Sequence, residues 1–212
     1  MKIDKDKPLP DHTKLDYDEC CVLLTLKELF PDKYNSLDIS DKPDLQGIDT
    51  GVEVTIADEK EHLEALNNWV KAYNCSDEKQ KARFVERMQQ LGVTYTGGIQ
   101  SWPGKTPSCK CIKEAVNNKL DKVKTGNYKR FLNNELFILT DEWITETIQA
   151  QTEQYFSDNN VYEWFNRIYV LEKGYKLFVF EADNTDQVII NIPEQSERNT
   201  RARRMVEAAE EQ

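Results

Sequence analysis

The sequence predicts an α/β fold of mixed α+β character, in which helices flank one central mixed sheet. Two observations support this prediction. Segments with helical spacing of apolar residues alternate with short apolar runs along the chain. In addition, the segment 52–56 alternates cleanly between apolar and polar residues, which is typical of a strand with one buried face. Strands separated by helices favour one sheet covered by helices.

The first predicted helix runs over 15–33, where Asp16 or Asp18 can cap its start and Pro31 marks its end. Residues 47–51 then form a turn between two short strands. In the second strand, we expect the apolar side chains at 52, 54 and 56 on one face and Glu53 and Thr55 on the other. Further elements are predicted as helices at 58–74, 77–91, 112–123 and 141–156, strands at 136–140 and 187–192, and a hairpin over 161–181 around Lys173-Gly174.

The predicted domain organisation is simple. Residues 1–14 form an N-terminal arm, and 15–192 form a single domain that carries an insertion at about 75–108. The stretch from Thr94 to Pro107 contains several glycines and prolines and is expected to be irregular. Residues 193–212 form a charged tail, either a terminal helix or disordered.

Composition restricts the class of protein. The chain has 212 residues and a formal net charge of −10. No apolar stretch approaches the length of a membrane span, and no secretory signal is visible, so we expect a cytoplasmic protein that does not insert into a membrane. The five cysteines are an odd number, which favours reduced thiols, and the Cys109-Lys110-Cys111 spacing is poor for zinc.

Positive charge is concentrated in one part of this acidic chain. The segment 105–130 contains eight lysines and arginines against two acidic residues. Phosphate neutralisation by such side chains supplies most non-specific affinity for nucleic acids. The segment is therefore a candidate nucleic-acid contact, and a solvated helix face is the alternative interpretation.

The most informative stretch is the hairpin from Lys42 to Thr55. It places Asp44 at the start of one strand and Glu53 within the next. Two carboxylates that converge from neighbouring strands, with a backbone carbonyl beside them, offer the all-oxygen ligands that Mg²⁺ or Mn²⁺ prefers. Such an ion activates water and neutralises charge on a scissile phosphate.

This stretch resembles the core of the PD-(D/E)XK nuclease superfamily, as does the later lysine-bearing helix that leads into Leu136-Phe137-Ile138-Leu139. The resemblance implies a restriction-endonuclease-like core with an inserted helix and loop. It also implies that Asp44, Glu53 and the Val54 carbonyl bind the metal. The acidic residue that the family often carries in its first helix would be Glu19 or, as a weaker alternative, Glu28.

The sequence departs from the family pattern at Thr55, where the family has a lysine. That lysine orients the attacking water and offsets transition-state charge. A threonine hydroxyl can bond a water but carries no charge. Lys119 or Lys122 on the later helix is the expected replacement, and Gln46 is a candidate for holding a ligand or a water.

Structural explanations exist for each of these residues. Asp44 is also a typical turn residue after proline, Glu53 an ordinary outward strand residue, and the two lysines ordinary solvent-facing residues. The aromatic residues of 162–180 are expected in the core and on the sheet, with base stacking as an alternative.

Three functions follow. The first is a Mg²⁺- or Mn²⁺-dependent nuclease that hydrolyses DNA or, alternatively, RNA. The second is a catalytically inactive binding or regulatory protein on the same scaffold, with a protein partner or as a homodimer. The third is an unrelated α+β protein in which the motif is a coincidence.

Overall fold

A computed structural model describes residues 7–10, 12–96, 98–102, 107–126, 128–172, 175–182, 184–192 and 195–211. The helices are α1 (Tyr17–Leu29), α2 (Pro31–Tyr34), α3 (Lys60–Asn74), α4 (Glu78–Gln90), α5 (Lys110–Thr125), α6 (Glu146–Asp158) and α7 (Gln195–Glu210). The strands are β1 (Asp38–Ile39), β2 (Leu45–Gln46), β3 (Thr50–Ala57), β4 (Thr94–Tyr95), β5 (Ile99–Ser101), β6 (Asn133–Thr140), β7 (Arg167–Glu172), β8 (Lys176–Glu181) and β9 (Asn184–Asn191).

The chain divides into two compact units. The smaller unit comprises Met1–Lys14 and Asp58–Thr106, and the larger comprises Leu15–Ala57 and Pro107–Gln212. Residues 75–106 of the insertion expected at about 75–108 therefore belong to the smaller unit, whose segment begins directly after β3 at Asp58.

The larger unit contains a seven-stranded mixed sheet in the order β1-β2-β3-β6-β7-β8-β9. The central strands β3, β6 and β7 are parallel, and the outer strands pair antiparallel. Helix α5 lies between β3 and β6 in the chain, and α6 lies between β6 and β7. The predicted fold class, a mixed α/β protein with a central sheet and flanking helices, is confirmed.

Apolar residues cover both faces of this sheet. On one face, Leu26 and Tyr34 pack with Val52, Val54 and Phe137. On the other face, α5 and α6 pack against the sheet. This part of the core includes Ile112, Val116, Leu136, Ile138 and Phe156. Strand β3 is therefore buried on both faces, as strands at the centre of a parallel sheet usually are.

The hairpin that carries the candidate carboxylates forms where it was predicted. Strand β2 pairs antiparallel with β3, and Leu45 lies opposite Val52. Val52 and Val54 are buried as the alternation predicts, whereas Ile56, near the end of the strand, is 42% exposed. In the first helix, the Asp16 carboxylate caps α1 by accepting the backbone N–H groups of Asp18 and Glu19.

The smaller unit contains α3, α4 and a two-stranded hairpin around a core of Ala65, Ala72, Met88 and Val93. The hairpin corrects the expectation that the segment from Thr94 to Pro107 is irregular, because β4 and β5 pair antiparallel within it. Residues 103–106 lie outside the described part of the chain.

The C-terminal segment is helical from Gln195 and packs against α1, so the helical alternative for the tail is the one observed over the described residues. The predicted hairpin over 161–181 corresponds to β7 and β8, while Lys173 and Gly174 themselves lie outside the described residues. The last predicted strand is β9. Among the described residues, no helix is both long and apolar enough to cross a bilayer.

Candidate active site

Asp44 and Glu53 are brought together by the register of the β2–β3 hairpin. Because Leu45 lies opposite Val52, one further step along the antiparallel pair sets Asp44 opposite Glu53. The Asp44 side chain continues the pairing, since its Oδ2 accepts the Val54 backbone N–H at 2.7 Å. The two carboxylates therefore lie side by side, Glu53 on β3 and Asp44 directly before β2.

Glu53 is one of the most buried charged groups in the protein. Its residue exposure is 3%, which excludes the interpretation as an ordinary outward strand residue. Burial raises the pKa of Glu53, and the negative charge of Asp44 raises it further, while the Lys119 ammonium opposes both effects. A neighbouring cation therefore favours the ionised form of this carboxylate.

Lys119 supplies that cation from α5. Its Nζ lies 2.8 Å from Asp44 Oδ2 and also contacts Glu53 Oε2. Burial alone would lower the pKa of Lys119, but the two carboxylates more than reverse this and raise it. Lys119 therefore stays protonated between the two acids.

The sequence left two lysines as replacements for the missing lysine at Thr55. Lys122, one turn further along α5, is exposed, whereas Lys119 is buried in the acidic pair. The positive charge beside the two carboxylates thus comes from Lys119. Its position in the apolar stripe of the helix, three residues after Val116 and one before Leu120, is the sequence signal that separates the two lysines.

The two candidate acids of the first helix also separate. Glu19 lies within electrostatic range of the acidic pair: burial raises its pKa to about 7, Asp44, Asp16 and Glu53 add to the rise, and Lys119 opposes it. Glu28 instead forms ion pairs with Arg198, at 3.0 Å, and Arg201 of α7. Of the two candidates, Glu19 is therefore the one whose charge interacts with the acidic pair.

Three other predicted site residues have less defined positions. The Gln46 amide donates to the backbone carbonyls of Asp41 at 3.0 Å and Pro43 at 3.3 Å, so its described bonds hold the loop before Asp44. Thr55 is half-buried on β3. The Val54 N–H serves Asp44, and a role of the Val54 carbonyl as a metal ligand stays a prediction.

One oxygen of the site has no hydrogen-bond partner among the described residues. Glu53 Oε1 is buried and accepts no hydrogen bond within the part of the chain that the structure describes. A buried acceptor without a partner is costly. The donor set of Asp44, Glu53 and a nearby backbone carbonyl consists of hard oxygen ligands, so a divalent cation fits this orphaned oxygen.

A cleft of about 320 Å³, its open mouth included, opens beside Glu53. Its lining includes Pro43, Gly51, Glu53, Val123, Tyr128, Lys129, Arg130, Asn134, Glu135, Trp164 and Phe165. The phenol of Tyr128 is half-buried, and burial together with the Glu53 charge raises its pKa, so that it remains a hydrogen-bond donor at neutral pH. Sequence reasoning missed Tyr128 as a site residue because nothing in the local pattern marks it.

The five cysteines, Cys20, Cys21, Cys75, Cys109 and Cys111, are free thiols.

Comparison with protein-family models, with curated proteins and with solved structures finds no match to this chain.

Proposed function

We propose that the chain is a metal-dependent nuclease that hydrolyses phosphodiester bonds in DNA or RNA. One observation carries the proposal: Lys119 Nζ contacts both Asp44 and Glu53. The acidic pair thereby obtains the cation that the PD-(D/E)XK pattern has next to its glutamate and that Thr55 cannot supply. The free cysteines suit the cytoplasm as the place of action.

Asp44 and Glu53 would hold Mg²⁺ or Mn²⁺, with the Val54 carbonyl and Glu19 as further oxygen ligands. A bound ion of this kind lowers the pKa of a coordinated water and offsets charge on the phosphoryl oxygens. The chain's own part is to fix the ligands on a strand pair and to exclude bulk water from Glu53.

Lys119 holds a permanent positive charge beside the carboxylates. A fixed ammonium group in a partly desolvated site offsets the negative charge that develops on the oxygens of the pentacoordinate phosphoryl group. The charge balance supports this role. With both carboxylates ionised and Lys119 protonated, the triad would carry one net negative charge, which attracts a metal ion.

The test mixes purified protein with labelled single-stranded DNA, duplex DNA or RNA. Mg²⁺ or Mn²⁺ is present at about 5 mM, so that a hard-oxygen site of this kind is filled. We expect cleavage that EDTA stops. Asp44→Asn, Glu53→Gln and Lys119→Met should each reduce the rate by about a hundredfold or more, as loss of a transition-state contact does.

Two matched controls accompany these variants. Glu28→Gln removes a carboxylate from α1 that pairs with α7, and Lys122→Met removes an exposed charge from α5. Both should weaken cleavage far less than the variants of the triad. Absence of cleavage on every substrate, or equal cleavage by Glu53→Gln, would refute the nuclease.

A second function, a binding or regulatory protein without catalysis, is favoured by one specific observation. Lys119 already bonds to both carboxylates, so the triad also satisfies the description of a structural ion pair. The net charge of −10 suits a protein partner. Calorimetric titration with Mn²⁺ separates the two functions, because only the nuclease requires binding that is lost in Glu53→Gln.

A further inference from the structure

The cations of the basic segment fall into groups with different neighbours. Lys110 forms an ion pair with Glu114 at 3.8 Å, and Lys113 lies over the ring of Tyr155. Lys119 belongs to the acidic pair. The remaining described cations include three that gather on aromatic rings at the end of α5 and in the segment that follows it.

These three cations are Lys124, Lys129 and Arg130. The Arg130 guanidinium carbon lies 4.3 Å from the centroid of the Trp164 ring, and Lys124 Nζ lies 5.7 Å from the same ring. Lys129 Nζ lies 4.4 Å from the centroid of Phe131. Aromatic faces attract cations through their quadrupoles and hold them in place without neutralising them.

All three side chains are exposed, and none of them forms a salt bridge with a carboxylate of the described residues. This is notable in a chain of net charge −10, where acidic side chains are abundant. Three neighbouring cations without acidic partners create a local positive potential on an otherwise acidic protein. Such a potential selects an anion.

The segment that carries two of these cations is fixed to the sheet. The Phe131 N–H donates to Asn134 Oδ1 at 3.1 Å, and Asn134 Nδ2 donates back to the Phe131 carbonyl at 2.8 Å. The Phe131 ring also packs over Gly51 of β3, where a Cβ would lie 2.6 Å from it. The cations are thus presented from a rigid base, which lowers the entropy lost when an anion binds.

Two of the three cations, Lys129 and Arg130, share a cleft with Glu53. Lys129, Arg130 and Trp164 line the same cleft as Glu53 and Tyr128. An anion held by Lys129 and Arg130 therefore lies at the cleft that Glu53 lines. Arginine matches the two oxygens of a phosphate with a planar pair of N–H donors, and its attraction to Trp164 leaves the edges of the guanidinium open.

We propose that Lys124, Lys129 and Arg130, seated on Trp164 and Phe131, form a phosphate-binding rim that holds a backbone phosphate of the substrate strand beside Asp44 and Glu53. The inference rests on the proposed nuclease function, which it deepens by naming the residues that hold the strand. It assigns strand binding to this rim instead of the whole basic segment.

The test measures binding without catalysis. Fluorescence anisotropy follows labelled 20-mers of single-stranded DNA, duplex DNA and RNA in EDTA while NaCl is varied. Each phosphate contact contributes about 0.7 to the slope of log K against log salt for a single strand and about 0.9 for a duplex. Arg130→Gln should make the slope shallower by that amount and weaken binding about five- to eightfold at 0.1 M salt.

The matched control is Arg204→Gln, which removes an exposed arginine from α7. It should leave the affinity and the slope unchanged. Trp164→Leu tests the seat of the guanidinium, since it removes no charge and should still weaken binding severalfold, whereas Trp143→Leu, at a tryptophan that is 54% exposed, should not. If Trp164→Leu fails to fold, Trp164→Phe replaces it, because it retains an aromatic ring at this position. In that case the result for Arg130→Gln alone decides whether the rim binds phosphate.

Equal effects of Arg130→Gln and Arg204→Gln would overturn the rim, and so would absence of binding to all three nucleic acids at 0.05 M salt, a concentration at which phosphate contacts are strong. Tighter binding of labelled polyglutamate than of any nucleic acid would overturn it in favour of an acidic protein partner. Cleavage that persists in rim variants with unaltered binding defeats the rim but not the nuclease. Rim-dependent binding without cleavage defeats the nuclease but not the rim.

Discussion

At the scale of single residues, the candidate site depends on one ammonium group shared by two carboxylates. Removing one partner from a buried ion pair is expensive, because the other charge then stays desolvated without compensation. Glu53 is the group most sensitive to loss of its partner, since it is buried and adjacent to Asp44. The same residues that make the site chemically capable thus also make it sensitive to substitution.

The position of Glu19 makes the stability of the metal-free protein depend on pH. Its pKa is raised to about 7 by burial and by the neighbouring carboxylates, against about 4.5 for the free side chain. The folded state therefore binds the proton more tightly than the unfolded state. Between pH 4.5 and pH 7 the folded protein loses stability as pH rises, and above pH 7 the loss is complete.

We expect Glu19→Gln to remove this loss. Relative to wild type, the variant should gain on the order of 1 kcal/mol in the free energy of unfolding between pH 5 and pH 8, after allowance for solvent screening. Urea unfolding in EDTA at both pH values measures the gain. Glu28→Gln is the control, since it breaks the ion pairs with α7. A gain for Glu19→Gln that is the same at both pH values would show that its charge is not involved.

Individual residues of the site differed in how far the sequence defined them. The pairing of Asp44 with Glu53 was predictable because a short antiparallel hairpin fixes which residues lie opposite each other. The choice of Lys119 over Lys122 was also available, from the helical stripe. The partners of Gln46 were not, because a side-chain amide can reach any nearby carbonyl, and the loop conformation at Asp41 and Pro43 decides which.

At the scale of elements, strand β3 shows why alternation describes only half of a central strand. The pattern placed Val52 and Val54 correctly, but it also suggested a solvated face for Glu53. Helix α5 covers that face, and the chain reaches α5 only after the inserted segment, so no local pattern reveals the cover. The strands β4 and β5 were missed for a different reason, since two or three residues are too few to show a period.

The hairpin depends on a glycine that permits close packing. A Cβ on Gly51 would lie 2.6 Å from both the Phe131 ring and Pro43. Gly51→Ala should therefore destabilise the protein by about 2 kcal/mol through overpacking, and it should weaken Mn²⁺ binding because the proposed ligands are Glu53 on β3 and Asp44 directly before β2. Thermal unfolding and calorimetry measure the two effects.

Gly98→Ala is the matched control for Gly51→Ala, because an added Cβ at Gly98 meets nothing within 4 Å. It should change the free energy of unfolding by less than about 0.5 kcal/mol. An equally small effect at Gly51 would mean that Phe131 can move away, and that the segment bearing the rim is less firmly fixed than its contacts imply.

At the scale of the whole molecule, the candidate site is assembled from two stretches of chain that the smaller unit separates in sequence. Asp44 and Glu53 precede the segment 58–106, and Lys119 and Tyr128 follow it, yet all four belong to the larger unit. The parallel strands β3 and β6 require a crossover in which α5 runs back along the sheet, so α5 begins near the end of β3. A long connection between them is not required by the topology.

We therefore expect the larger unit to keep its site when residues 58–106 are replaced by a 12-residue Gly/Ser linker, which spans about 20 Å as a random coil. The shortened protein should unfold cooperatively and bind Mn²⁺ within about threefold of the full chain, a difference of roughly 0.7 kcal/mol. Glu53→Gln in the shortened chain should abolish that binding, which shows that the same ligands act. A shortened protein that folds but binds Mn²⁺ no better than its Glu53→Gln variant would instead assign part of the metal site to the inserted segment.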